Sequence, residues 1–432
     1  VNHPTDPLDD IPRLKTSTGD RRSLAQARAT HELLQLADQC VKCGLCLPHC
    51  PTFQQARQEA DSPRGRIALI QGWAGGHLAM TPTLAGHLDG CLGCLNCERV
   101  CPSEVAYGRI ADRAKALRTA ALPAPRRTLK GLALGVLSSA SVMNRFARLL
   151  RLYRSLGLGR LAELIRLDRI PVLRPYHRIA TAMGTVARPI APRNPEGADV
   201  DLFLGCMGAA AEGRAVEATL KVAARLNLRL RIVSPDTCCG AMLRHNGLAA
   251  EADARRDACV RMHGDRPLVG LASACIAELR SDPALRDTLE LCAFLDGAAW
   301  PEALRIRPDR RRVLVHEPCS HRNQLGGNAA VHRLLNRIPG LAVAPMPSGQ
   351  GCCGAAGTYL LRHPAMAEAL LTDLLVSVRV GAPDVIVTTN PGCALHLAAG
   401  VREAGLDIAV LHPVELVAAA LEHRGIPPRS RG

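Results

Sequence analysis

Eight cysteines fall into two runs of the same spacing, Cys40-x2-Cys43-x2-Cys46-x3-Cys50-Pro51 and Cys91-x2-Cys94-x2-Cys97-x3-Cys101-Pro102. Thiolates two residues apart wrap a tight loop around one iron–sulfur cubane. A fourth, three residues on and followed by proline, points away and ligates the partner cluster. The pattern assigns Cys40, Cys43, Cys46 and Cys101 to one [4Fe-4S] cluster and Cys91, Cys94, Cys97 and Cys50 to the other. Zinc also takes Cys-x2-Cys pairs, but two complete runs closing on Cys-Pro weigh against it. His49 and His87 flank the runs and, with eight thiolates matched, read as packed or solvated. Arg64 and Arg66 read either as cations that favour reduced, more negative clusters or as surface arginines opening a helix.

Eight further cysteines form a second pattern. Cys206-x31-Cys238-Cys239-Gly240 with Cys275 recurs as Cys319-x32-Cys352-Cys353-Gly354 with Cys393, at offsets of 113, 114 and 118 residues. Each cysteine follows a short β-branched run and precedes a helical pattern. Alternating strands and helices predict parallel sheets covered on both faces, with the cysteines at the carboxyl ends of the strands, where open α/β sheets gather ligands. Glycine after the double cysteine lets the backbone turn closely under a bound group. Cys259 and Cys292 have no such partners and read as core residues. His316, His321 and His396 flank the pattern, as packed side chains or, in the functional reading, as proton carriers near a quinone or thiol. Gly349 to Gly354 spells G-x-G-x-x-G, but its counterpart PDTCCG lacks the first two glycines. No flavin or nicotinamide fingerprint stands elsewhere, so neither FAD nor NAD is expected in this chain.

These sites imply an organisation. Residues 1–30 read as a polar lead, 31–121 as a helical two-cluster domain, and 122–199 as a basic helical and proline-rich linker. Residues 200–300 and 301–432 read as two α/β repeats. A hydrophobic fraction of 47% over 432 residues excludes wholesale disorder. The net charge of +15 raises nucleic acid as a ligand, but an aromatic content of 2% and the lack of any nucleic-acid motif argue against it. No targeting segment is legible. The most apolar stretch, Gly131 to Met143, is shorter than the about 20 residues of a spanning helix. A cytoplasmic chain is expected, where thiols stay reduced and serve as ligands. The basic amphipathic stretch 128–173 suits peripheral contact with the inner face of the cytoplasmic membrane or, in preference, a partner protein.

The stretches CVKCGLCLPHCPTF (40–53), DSPRGRIALI (61–70), CLGCLNCERVCPSEVAY (91–107), DTCCGA (236–241), CCGAAGTY (352–359) and TTNPGCALHLA (388–398) resemble the iron–sulfur subunits of bacterial glycolate oxidases. That group shares CCG domains with the heterodisulfide reductases, and the likeness runs from about residue 35 to residue 420. It implies a multidomain chain of α+β and α/β class, with a ferredoxin-like two-[4Fe-4S] domain followed by two CCG domains. It also implies FAD-containing dehydrogenase partners that oxidise a 2-hydroxy acid, glycolate above all, with electrons leaving for a respiratory quinone or another acceptor. The alternative is a self-contained reductase with thiol or quinone chemistry at the CCG sites, related to heterodisulfide reductase or to lactate and glycerol 3-phosphate systems. The fullest CCG pattern supplies five thiolates to a non-cubane cluster. Here Ala272 and Asn390 stand where the earlier cysteine of each closing pair would be, so each half keeps four thiols. One or two further iron–sulfur centres are left open there.

Overall fold

The computed structural model describes residues 18–158, 173–183, 194–233, 237–346 and 352–421, together with Leu164, Arg166 and Ile170. Much of the proline-rich stretch 187–198 and the segment Gly349 to Gly351 lie outside the described residues. The N-terminal part is helical: α1 (Thr18–Asp38), α2 (Pro51–Ala56), α3 (Pro63–Ala74), α4 (Pro82–Asp89), α5 (Asn96–Arg99) and α6 (Tyr107–Ala120). Residues 18–30, read from sequence as part of the lead, belong to α1. The later turns of that helix bury Leu33 and Ala37 with Ile67, Ile70, Ile110 and Ala114 of α3 and α6. This packing offsets the cost of helix nucleation, and the alanine- and arginine-rich residues before it extend the helix.

Two helices of the basic stretch follow, α7 (Ala124–Leu137) and α8 (Ala140–Ser155), then α9 (Arg174–Met183). Leu134 of α7 and Met143, Ala147 and Leu150 of α8 are buried, packed near Ala210, Leu243 and Leu248. The same two helices leave Leu129, Leu132, Val136, Phe146, Leu149 and Leu152 exposed. No described helix is long and apolar enough to cross a membrane.

The first repeat runs β1 (Val200–Phe203), α10 (Gly205–Ala211), α11 (Gly213–Arg225), β2 (Leu230–Ile232), α12 (Ala241–His245), α13 (Ala249–Met262), β3 (Leu268–Gly270), α14 (Ser273–Leu279), β4 (Leu289–Glu290) and α15 (Leu291–Gly297). The second runs β5 (Arg312–Val315), α16 (Cys319–Gln324), α17 (Ala329–Asn336), β6 (Ala342–Pro345), α18 (Tyr359–Arg362), α19 (Pro364–Gly381), β7 (Val385–Val387), α20 (Pro391–Glu403), β8 (Ala409–Leu411) and α21 (Pro413–Leu421). Both sheets are parallel and four-stranded, ordered β2-β1-β3-β4 and β6-β5-β7-β8. Leu202 pairs with Ile232 and Val269, and Leu314 with Ala344 and Ile386. The buried β-branched runs are what a sheet covered on both faces requires. In each sheet the order reverses between the first and third strands, which opens a crevice at their carboxyl ends. One apolar core joins the halves, with Leu202, Val216 and Leu271 in the same cluster as Val315, Val387 and Val414.

Candidate functional site

The two N-terminal cysteine loops share a backbone conformation. Lys42 and Gly44 flank Cys43 with φ of 59° and 86°, and Gly93 and Leu95 flank Cys94 with φ of 66° and 59°. Left-handed residues on both sides of the middle cysteine curl the chain, so that successive thiols face one centre. The Gly93 amide donates to Cys91 Sγ at 3.3 Å and the Tyr107 hydroxyl to the same sulfur at 3.5 Å. Burial pushes the Cys91 thiol up, but Arg66, Lys115, Tyr107 and Gly93 outweigh it and hold it below the ordinary thiol value. Burial and neighbouring thiolates, Cys50 among them, push Cys94 and Cys97 well up. Cys50 acts on thiols of both runs, on Cys46 as on Cys94 and Cys97. Crowded thiolates of this kind are stabilised by the iron they are suited to bind.

Arg66 decides between its two readings: it is 1% exposed. Its Nε donates to His87 O at 2.7 Å, one terminal nitrogen to Thr52 Oγ1 at 3.0 Å, and the other to Asp61 Oδ1 at 3.2 Å. Burial works against its charge, and Tyr107, Cys91, Cys50 and Asp61 more than compensate. His87 pairs with Asp61 at 3.0 Å, as a packed side chain. Arg64 is half-exposed, bonded to Glu59 and to Lys42 O at 3.2 Å, so it braces the other cysteine loop. Arg66 instead bonds Thr52, two residues after Cys50, and the His87 carbonyl, four residues before Cys91.

In each repeat all four expected thiols meet at the crevice. Cys206 pairs with Cys238, Cys238 with Cys239 and Cys239 with Cys275, and its two neighbours pull the Cys238 thiol down. In the second repeat Cys319 donates to Cys352, Cys352 to Cys353, and Cys353 to Cys393 at 2.8 Å. The Gly240 and Gly354 amides donate to Cys238 and Cys352 Sγ at 3.5 and 3.4 Å. Gly240 has φ of +90° and Gly354 of +82°, and a Cβ on either would sit 2.6 Å from the carbonyl of Ala252 or Ala367. Both the turn and the space exclude a side chain. Gly240→Ala or Gly354→Ala is therefore expected to cost about 1–3 kcal/mol from backbone strain alone, plus the clash. Thermal denaturation of each variant checks this, and a midpoint equal to wild type would refute it.

The second thiol set abuts the ferredoxin-like part. Asn323, one helical turn beyond Cys319 on α16, donates to Cys94 O at 2.6 Å and to Asn96 Oδ1 at 2.8 Å. Four residues of helix span about 6 Å. Charge on Cys319 helps push the Cys94 thiol up, and charge on Cys94 does the same to Cys352. Tyr359 OH donates to Gly90 O at 3.2 Å, and Gln55 of α2 bonds Asp373 of α19. The two repeats meet where Ser273 N donates to Thr389 O at 3.0 Å and Ser273 Oγ meets Ser320 Oγ at 2.8 Å.

Cys259 is buried, as expected of a core residue, but its thiol donates to Cys238 O at 3.5 Å. Cys292 is also buried, though not isolated. It lies with Glu290 and His412 in a group whose ligand atoms are within 4.8 Å of one another. Glu290 Oε2 accepts from the Cys292 and Ala293 amides, and His412 Nδ1 from Val414 N, so both residues cap helices. His396 bonds Ala367 O at 3.2 Å and His321 bonds Thr389 Oγ1 at 3.0 Å. Burial pushes both down to about 4. Asn323, Thr52 and Tyr107 escaped the sequence reading, and only the four-residue spacing of Asn323 from Cys319 signalled any of them.

Family models agree with this division of labour. A model described as a 4Fe-4S dicluster domain matches residues 36–105, and one described as a cysteine-rich domain, CCG, matches 200–280 and 313–398. The chain is 30% identical to the glycolate oxidase iron-sulfur subunit of Escherichia coli (strain K12) over 431 residues, covering 94% of this chain and 98% of the relative. The chain belongs to the glycolate oxidase iron–sulfur subunit family. It is also 27% identical to the probable glycolate oxidase iron-sulfur subunit of Bacillus subtilis (strain 168), over 89% of this chain and 94% of that one. Its likeness to lactate utilization protein A of Geobacillus kaustophilus (strain HTA426) is 25%, over 51% of this chain and 98% of the relative. As a member of the glycolate oxidase iron–sulfur family, the chain is a subunit of an oxidoreductase of that type. The dicluster match indicates two [4Fe-4S] clusters, and the amide-lined thiol loops fit them.

Proposed function

We propose that this chain carries electrons from a FAD-containing subunit, which oxidises glycolate or a related 2-hydroxy acid, toward the quinone pool. Cys40, Cys43, Cys46 and Cys101 hold one cluster, and Cys91, Cys94, Cys97 and Cys50 the other. Bound cubanes divide a two-electron oxidation into single-electron steps. The observation that carries the reading is the contact of the Cys94 loop with α16, the helix that opens on Cys319 of the second CCG site. Arg66 and Tyr107 hold the second cysteine loop in a buried, cationic setting that favours an added electron. The alternative, a self-contained disulfide reductase, is separated by the purified chain alone. Given a reduced dye and a disulfide, it is expected to show no turnover without its flavoprotein, and turnover would establish the alternative.

The exposed apolar stripes of α7 and α8 lie beside the exposed Arg126, Arg145 and Arg148, and both helices are anchored to this chain by their opposite stripes. An exposed apolar stripe rimmed by charge is suited to a protein partner, here the flavin subunits. Leu132→Asp with Leu149→Asp is expected to abolish co-purification of the flavin subunits and leave the iron content unchanged. Retained co-purification would place the partner elsewhere. Equal vesicle partitioning with and without residues 128–173 would remove the membrane as an occupant.

A further inference from the structure

The two CCG sites are built alike but not lined alike. Each sits where the strand order reverses, between β1 and β3 or between β5 and β7. In the first repeat the residues leaving those strands are Leu204 and Leu271, both buried in the apolar core. In the second they are His316 and Thr388. Pairing fixes this equivalence, since Phe203 is opposite Gly270 and Val315 opposite Val387, one residue earlier in each case.

His316 is 3% exposed. Its amide extends the ladder by donating to Val387 O at 2.9 Å, and its Nδ1 lies 3.0 Å from Thr388 Oγ1. Its Nε2 is buried and has no hydrogen-bond partner. A buried ring nitrogen without a partner is costly and calls for a reason. One is at hand: a ring nitrogen of His316 and the Sγ atoms of Cys353 and Cys393 all lie within 4.8 Å of one another. Metal-binding imidazoles are commonly oriented through their other nitrogen by an oxygen, the part Thr388 plays here.

We propose that the second CCG site binds an iron centre through His316 Nε2 together with Cys319, Cys352, Cys353 and Cys393, whereas the first site offers thiolates alone. Five donors exceed the four that close a tetrahedral zinc site and suit a multi-iron centre. As a fifth donor beside four thiolates, a neutral imidazole adds no negative charge where another thiolate would, which keeps the reduction potential higher. The inference deepens the electron-transfer reading and rests on it for the choice of iron.

The test uses the purified complex carrying the wild-type chain, His316→Ala or His316→Cys. Metal per chain is measured along with pulsed EPR in the redox state that makes each centre paramagnetic. The wild type is expected to hold iron beyond the about eight of two cubanes and to show an imidazole nitrogen coupling. His316→Ala should lose the additional iron and keep the eight, which also reports that the chain has folded. His316→Cys should keep the iron, lose the coupling and shift that centre to lower potential. If the alanine variant fails to fold, the cysteine variant decides by its coupling alone. Unchanged iron and coupling in the variants, or a wild type with no iron beyond the eight, would overturn the assignment. Failure of the electron-transfer reading is separately visible, because reduction of the two cubanes by the flavin partner does not depend on His316.

Discussion

Replacing Cys94 with serine is expected to abolish acceptor reduction by the complex while substrate still bleaches the partner's flavin at the wild-type rate. Cys94 is a buried thiol of the second cysteine run, and its carbonyl accepts the Asn323 amide. Its loss removes one cubane, about four irons, and opens the contact to the second CCG site as well. Cys43→Ser should also stop acceptor reduction, since Cys43 belongs to the first run, but it leaves the Cys94–α16 contact in place. Cys43 is exposed where Cys94 is buried, so its variant should be the more stable of the two. Flavin bleaching, dye reduction and iron content measured on the same preparations separate these effects. Dye reduction persisting in Cys94→Ser would mean that electrons bypass the second cluster.

Arg66→Met should have the second largest effect, on stability and on potential together. The guanidinium binds Thr52, Asp61 and the His87 carbonyl from a position almost without solvent. Removing one partner of a buried ionic network typically costs about 3–5 kcal/mol, because the remaining groups stay desolvated. The second cluster should also become harder to reduce, since a buried cation that acts on Cys50 and Cys91 is gone. Arg64→Met is the control. Its pair with Glu59 is largely solvated, and such pairs contribute about 1 kcal/mol or less. Thermal inactivation and a redox titration of each variant provide the comparison. Equal losses for Arg64 and Arg66 would remove the distinction drawn between them.

Much of this was legible along the chain because the determinants are local. Two cysteine runs and their prolines describe a loop that closes within a dozen residues, and the left-handed residues around Cys43 and Cys94 follow from that closure. The CCG repeat was legible for a related reason: strand, cysteine and helix follow one another directly, so a parallel sheet brings three strand ends to one edge. What the chain order does not encode is docking. Nothing in the spacing relates Cys94 to Cys319, more than two hundred residues away, or says that Arg66 is buried while Arg64, two residues earlier, is half-exposed. Both depend on how α3 and α16 lie against their neighbours. The three flanking histidines looked equivalent in sequence. They separate only when His396 and His321 are seen to be bonded and the Nε2 of His316 is not. The helical register of α8 also concealed that its two apolar stripes face different surroundings.

In the proposed scheme, electrons leaving the flavin reside next on the two cubanes of this chain. The most direct test freezes the native complex within milliseconds of adding glycolate under anaerobic conditions. EPR then counts reduced clusters per chain, alongside chemical iron and acid-labile sulfide. Two [4Fe-4S] clusters that become reduced as the flavin is reoxidised, and one in Cys94→Ser, are the predicted result. Reduced flavin persisting beside oxidised clusters, with the acceptor still turning over, would contradict it.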